Sequence, residues 1–333
     1  MKKVLITGGA GYKGSVLVPK LLDKGYDVVV YDWMLFGDDH LPKSNPRLTV
    51  IKGDIRDIAA LETAMEGVDT VIHLACISND PSFELDETLS KSINYDCFEG
   101  GVQAAVNAGV RRFICASTSS VYGVSDAPEV TEEHPLVPLT LYNRFKGMTE
   151  PLLLKYQSPS FTTVVIRPAT VCGYSPRLRL DLTVNILTNH AVNKGQITVF
   201  GGTQKRPNIH IDDVTDLYAD LIERPAGQIA GETFNAGYEN FTVAELAEQV
   251  KRVVEQEFPE KAPISIVTTP SNDLRSYHVS SKKILQKLGW KPQRSIEDAV
   301  RDLCRAFRQG KIPNSFDDDR YYNVRTCKLQ AVE

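Results

Sequence analysis

No apolar run in this chain approaches the ~20 residues that a bilayer-spanning helix needs, so no transmembrane helix is expected. Its six cysteines, at positions 76, 97, 115, 172, 304 and 327, form no Cys-x-x-Cys pair. No histidines cluster at metal-ligand spacing either, which argues against a structural or catalytic metal. Scattered cysteines of this kind read as reduced, mostly buried thiols of a cytoplasmic protein. An excess of either charge is also missing: 38 Lys and Arg against 42 Asp and Glu leave a net charge of −4. That balance gives no general attraction to nucleic acid or an anionic membrane, so a phosphate-bearing ligand must be caught locally. Internal repeats and low-complexity segments are absent, and the N-terminus reads as a buried strand rather than a signal peptide.

The strongest positive signal is at the start. Val4 to Thr7 is a short apolar strand that runs into Gly8-x-x-Gly11-x-x-Gly14, and Val16, Leu17, Leu21 and Leu22 then follow helical spacing. Free backbone N–H groups and the helix dipole meet at such a turn and make an anion site. Glycines there let a dinucleotide pyrophosphate approach the backbone and let the helix pack close to the strand. Asp27 to Tyr31 reads as the second strand and ends in Asp32, eighteen positions after Gly14. A carboxylate at that point accepts hydrogen bonds from the adenosine ribose and repels a 2′-phosphate. No Arg or Lys stands among Trp33, Met34, Leu35 and Phe36, so NAD is favoured over NADP.

Strands and helices alternate through the first half, which predicts an α/β fold with a doubly wound parallel sheet. Further strands are expected at 48–52, 70–74, 112–117 and 162–167, with helices near 58–66, 84–108 and 141–156. After Pro168 the elements shorten. Helices are expected near 182–194, 212–223, 243–256, 281–288 and 296–308, with brief strands at 197–200, 232–235 and 264–267. The chain is therefore divided into a Rossmann-type cofactor domain at 1–168 and a smaller α+β substrate-binding region at 169–310. Some later segments are expected to return to the first domain. Residues 311–333 lack clear periodicity and read as a C-terminal tail.

Two further segments carry chemistry. Ala116-Ser-Thr-Ser-Ser-Val-Tyr-Gly123 lies at the carboxyl end of a predicted strand, where an open α/β sheet binds its ligands. Tyr142 and Lys146 are four apart and share a helix face. An ammonium there, with the positive nicotinamide ring nearby, would stabilise a phenolate and lower the tyrosine pKa.

With these motifs in order, the chain resembles the extended short-chain dehydrogenase/reductase family, in its NAD-dependent nucleotide-sugar epimerase/dehydratase branch. The resemblance runs from Lys3 to about Gln309 and also uses Gly53-Asp-Ile-Arg-Asp57, His73-Leu-Ala75, Asn94 and Arg167-Pro168. It implies Gly8, Gly11 and Gly14 at the pyrophosphate, with Tyr12 of the same loop also among the cofactor residues. It further implies Asp32 at the ribose, Asp54 and Ile55 at the adenine, and Leu74, Ala75 and Asn94 along the cofactor. Tyr142 would be the general base and acid, assisted by Thr118, while Lys146 holds the nicotinamide ribose. Thr118, Ser119, Asn185, Arg206 and Arg275 would contact a nucleotide-diphosphate sugar, and guanidinium groups suit phosphate oxygens. A homodimer built on the 84–108 and 141–156 helices is implied as well.

The resemblance also narrows the reaction. Dehydratases of the family carry Asp-Glu after the threonine, where this chain has Ser119 and Ser120; an unactivated hydroxyl cannot replace that acid and base. Members that epimerise C3 and C5 carry Cys at the second position. Oxidation and re-reduction at one carbinol carbon, most often C4, is left as the expectation. The alternative is a nucleotide-sugar 4-dehydrogenase or ketosugar reductase with net NAD(H) turnover. His73 is expected to be a packed strand-end residue, and His210 with Asp212 and Asp213 to fix a helix start. Lys13 and Cys172 depart from the family pattern, and Lys13 is expected to reach solvent.

Overall fold

The computed structural model describes residues 2–125, 127–270, 276 and 278–330. Six strands of the first half are β1 (Lys3–Thr7), β2 (Asp27–Asp32), β3 (Leu48–Lys52), β4 (Thr70–His73), β5 (Arg112–Ala116) and β6 (Thr162–Pro168). The second half supplies β7 (Thr170–Cys172), β8 (Gln196–Phe200), β9 (Lys205–His210), β10 (Glu232–Ala236), β11 (Asn240–Thr242) and β12 (Ser265–Thr269). The main sheet has seven parallel strands in the order β10-β6-β5-β4-β1-β2-β3. Strand order reverses between β1 and β4, and a ligand crevice opens at such a switch point, beyond the carboxyl ends of the strands. This is a Rossmann-type doubly wound fold.

The central strands are apolar without alternation because helices cover both faces of the sheet. Val4, Ile6, Val28 and Val30 join one core with the helices Gly14–Asp23 and Ile211–Glu223. Leu5, Val29, Val71 and Phe113 join the other, with Leu61 and Val102 from the helices Ile58–Ala64 and Phe98–Asn107. A third core, around Leu246, Val250, Val300 and Cys304, fills the smaller region. Its helices Val243–Glu257 and Ile296–Arg308 each begin with a reciprocal capping box, Thr242 with Glu245 and Ser295 with Asp298.

Three expectations change. The 84–108 helix is not continuous: short helices at Asp80–Phe83 and Glu87–Lys91 lead through a π-turn, Ser92–Asp96, into Phe98–Asn107. That turn carries Asn94 inward, where its side chain bonds both the N–H and the C=O of Ile77, at 2.8 and 2.9 Å. Strands β7, β9 and β11, which sequence periodicity does not reveal, form a three-stranded sheet, and β12 pairs with β8. The C-terminal segment includes a helix, Asn323–Gln330, and Leu180 N donates to Tyr321 O at 2.9 Å. β10 does return to the first-half sheet beside β6. No helix among the described residues is long and apolar enough to cross a membrane.

Candidate active site

A cleft of about 500 Å³ lies over the carboxyl ends of β1, β2, β4, β5 and β6. Its floor is the glycine loop. Gly8 has φ +73°, and a Cβ there would stand 2.6 Å from Ala75 N, so the loop lies directly against the segment after β4. A Cβ on Gly14 would stand 2.3 Å from Gly9 O, so the helix start presses on the turn. No side chain caps that helix and no acid occupies its first turn, so its positive end stays available to an anion.

Asp32, at the end of β2, lines one end of the cleft and ties down the loop. Its Oδ2 accepts from Ala10 N at 2.9 Å, and its Oδ1 from Met34 N at 2.8 Å. Burial raises its pKa, and these two donors only partly offset that. Asp54 and Ile55 lie on the same side. Burial favours protonation of Asp54, but its bonds from Arg56 outweigh that and hold it below the usual carboxylate range.

At the other end, beyond β5, stand Thr118, Tyr142 and Lys146. Thr118 accepts from Ser120 N at 3.2 Å and so caps the turn Ser119–Tyr122. Thr140 caps the helix Leu141–Leu154, whose first two turns present Tyr142 and Lys146 to the cleft. Lys146 Nζ donates to Ala116 O at 2.7 Å. The expected lowering of the tyrosine pKa is not found in the protein alone. Burial first, then Cys76 and Asp80, push the Tyr142 hydroxyl well above its ordinary value, and Arg179 is the cation that opposes them.

The model of the NAD dependent epimerase/dehydratase family matches residues 4–237. The chain belongs to that family. It is therefore an enzyme of the NAD-dependent epimerase/dehydratase group, and NAD is its cofactor. It is 27% identical over 346 residues to the UDP-glucose 4-epimerase of Lactobacillus helveticus, a match covering 95% of this chain and 99% of that one. The UDP-glucuronic acid decarboxylase 1 of Arabidopsis thaliana is 29% identical over 324 residues, 92% of this chain and 70% of that protein. Among solved structures, the dTDP-glucose 4,6-dehydratase DesIV of Streptomyces venezuelae, with NAD bound, superposes with a TM-score of 0.80. That pair is 26% identical and covers 93% and 98% of the two chains. The UDP-glucose 4-epimerase of Thermotoga maritima, with UDP-glucose, gives 0.81 at 25% identity over 92% and 99%. The residues in the cleft fit NAD: the Gly8 and Gly14 positions would be filled by any Cβ, and Asp32 lies at the far end of the same trough.

Not every sequence candidate reaches the cleft. Gly11, Tyr12, Leu74, Ala75 and Arg206 line it. Asn94 does not; it fastens the loop after β4 from behind, through Ile77. Ser119 is buried away from the cleft, and Ser120 lines it instead. Asn185 is also a correction. It is fully buried, accepts from Gly173 N at 2.9 Å and donates to Arg179 O at 2.8 Å and to the Tyr12 hydroxyl at 3.1 Å, so it has a scaffolding position. Tyr12 donates in turn to Gly173 O at 2.7 Å, binding the glycine loop to the second half. Arg275 lies outside the described residues.

His73 packs between Phe98 and Phe113, with its Nδ1 2.9 Å from Thr7 Oγ1, and burial pushes its pKa down to about 3. It stays neutral. His210 caps the helix Ile211–Glu223, Nδ1 accepting from Asp212 N at 3.0 Å. Cys172 is buried in the third core, away from the cleft.

Residues beyond the candidates named above also reach the cleft. Arg177 and Arg179 are buried and line the cleft. Arg179 pairs with Asp181, Nε to Oδ1 at 2.9 Å. Arg177 stacks 3.5 Å from the Phe36 ring centroid and donates from Nη2 to Asn323 at 2.6 Å. Burial and the neighbouring Arg179 push the Arg177 pKa down to about 9. Asn323 comes from the segment read as a tail and also bonds Ser78 at 2.8 Å. Lys13 lines the cleft too, which overturns its expected solvent position.

Proposed function

We propose that the chain is a nucleotide-sugar epimerase that oxidises and re-reduces one carbinol carbon, C4. One observation carries this reading: Thr118, Tyr142 and Lys146 line the same cleft as the glycine loop, with Arg206 also on its wall. The presence of UDP-glucose 4-epimerases among its relatives supports it. Bound NAD supplies reversible acceptance of a hydride from the carbinol carbon. Tyr142 removes the hydroxyl proton of the sugar and later returns it; burial favours its protonated form, Arg179 opposes this, and the positive ring of bound NAD would add to Arg179 in favouring the phenolate. Thr118 orients the same hydroxyl, and Lys146 is held in place by Ala116 O. Arg206 grips a phosphate of the nucleotide, placing the sugar toward Tyr142. The cleft would have to let the 4-keto sugar turn over, so that the chemistry NAD supplies could act on its other face.

Ser119 and Ser120 provide no carboxyl pair for water elimination, which sets this chain apart from dehydratase chemistry. We also place a homodimer contact on the helices Phe98–Asn107 and Leu141–Leu154, where Val106 and Met148 are exposed apolar residues. The deciding experiment offers UDP-, GDP-, CDP- and dTDP-sugars to the NAD-loaded protein in deuterated water. The C4 epimer without carbon-bound deuterium is expected. Deuterium at C3 or C5 overturns the one-carbon mechanism, and net NADH formation replaces it with the 4-dehydrogenase reading.

A further inference from the structure

Lys13 stands between Gly11 and Gly14, on the floor of the cleft. Its ammonium lies 5.8 Å from the centroid of the Tyr218 ring. Among the described residues it has no carboxylate partner. The groups that face it come from five different segments: Cys76 after β4, Cys115 on β5, Lys146 on the helix Leu141–Leu154, Arg179, and Tyr218 on the helix Ile211–Glu223. Burial first, with Lys146 and Arg179 adding to it, lowers its pKa to about 8, and Cys76 and Cys115 oppose the shift. The charge therefore sits at the end of the cleft that holds Tyr142 and Lys146.

That end must hold the nicotinamide, because the carbinol that gives its proton to Tyr142 must give its hydride to the ring in the same site. The oxidised ring carries a positive charge and the reduced ring does not. An unpaired ammonium beside it repels only the first, and the repulsion is strong where water is excluded.

We propose that Lys13 biases the bound cofactor toward its reduced form, so that the protein holds NADH more firmly than NAD. This rests on the cofactor reading of the cleft and goes beyond it. An epimerase must keep the reduced cofactor in place while the keto sugar turns, and a cation at that end of the cleft would serve that need.

The test is equilibrium titration of nucleotide-free protein with NAD and with NADH, in wild type, K13M and K13R. At pH 7 the wild type is expected to favour NADH, and K13M to lose about tenfold or more of that preference, the scale of a close charge–charge interaction. K13R, which keeps the charge, retains the preference and shows that the position tolerates substitution. Between pH 7 and 9 the preference should shrink in wild type, as Lys13 loses its proton, but not in K13R. An NADH-to-NAD affinity ratio in K13M equal to that of wild type overturns the proposal. Failure of wild type to bind either nucleotide overturns the cofactor reading of the cleft itself.

Discussion

Glu150 and Arg167 form a buried ion pair behind the catalytic end of the cleft, Arg167 Nη2 donating to Glu150 Oε2 at 2.6 Å. The other Glu150 oxygen accepts from the hydroxyl of Ser117, the residue before Thr118. Arg167 also donates to the Tyr122 hydroxyl at 2.6 Å, and that hydroxyl donates to Asn235 on β10 at 2.7 Å. The pair thus joins β5, β6, β10 and the helix that presents Tyr142 and Lys146. Replacing Glu150 with Ala leaves the guanidinium buried and uncompensated, so a loss of about 3–5 kcal/mol is expected. Urea unfolding of E150A against wild type measures it, and a change below 1 kcal/mol would contradict the role.

Tyr142→Phe removes the proton acceptor without changing the shape of the cleft. Turnover should fall by about 10²–10⁴-fold, the usual contribution of a positioned acid or base. NAD affinity, read by fluorescence titration, should stay within a factor of about two. Undiminished turnover would assign the proton transfer elsewhere.

Arg206 is the described residue proposed to hold the nucleotide. In R206M the lost charge-assisted hydrogen bond should raise KM for the sugar nucleotide by about 10–100-fold, corresponding to ~1.5–3 kcal/mol. The affinity for NAD should not follow. Parallel weakening of both would place Arg206 at the cofactor instead.

Asp181 ties acid stability to the wall of the cleft. Burial works against its ionised form, but Arg179, backed by Arg177, more than compensates, so its pKa lies below the usual carboxylate range. A depressed carboxylate contributes stability above its unfolded pKa of about 3.9 and loses it as pH falls through the folded value. Urea midpoints of wild type and D181N should therefore differ most near pH 6 and converge below about pH 4. A constant gap down to pH 3 would refute the linkage.

Much of the sheet can be read from the residues because its central strands are buried on both faces and form continuous apolar runs between turns. The glycine loop, Asp32 and Thr118 are legible because each sits just beyond a strand end, and Tyr142 and Lys146 because their four-residue spacing puts them on one helix face. Other features depend on partners distant in sequence. Asn94 carries no signal of the π-turn that brings it to Ile77. Lys13 resembles any lysine near a helix start, and only the docking of Tyr218 and Cys115 around it turns it inward. Asn323 belongs to a segment without periodicity, and its contacts with Arg177 and Ser78 span 146 and 245 positions. Short strands such as β7 and β11 are held by pairing with β9 rather than by their own pattern.

The return of β10 to the main sheet has a practical result for anyone dividing this protein. A fragment stopping at residue 168 would contain every glycine of the nucleotide loop yet leave the β6 edge bare, five residues long where β10 now pairs. An unpaired, apolar parallel strand invites pairing with another molecule. Such a fragment should be recovered as aggregate, and studies of nucleotide binding need the chain through β10 and the closing helices.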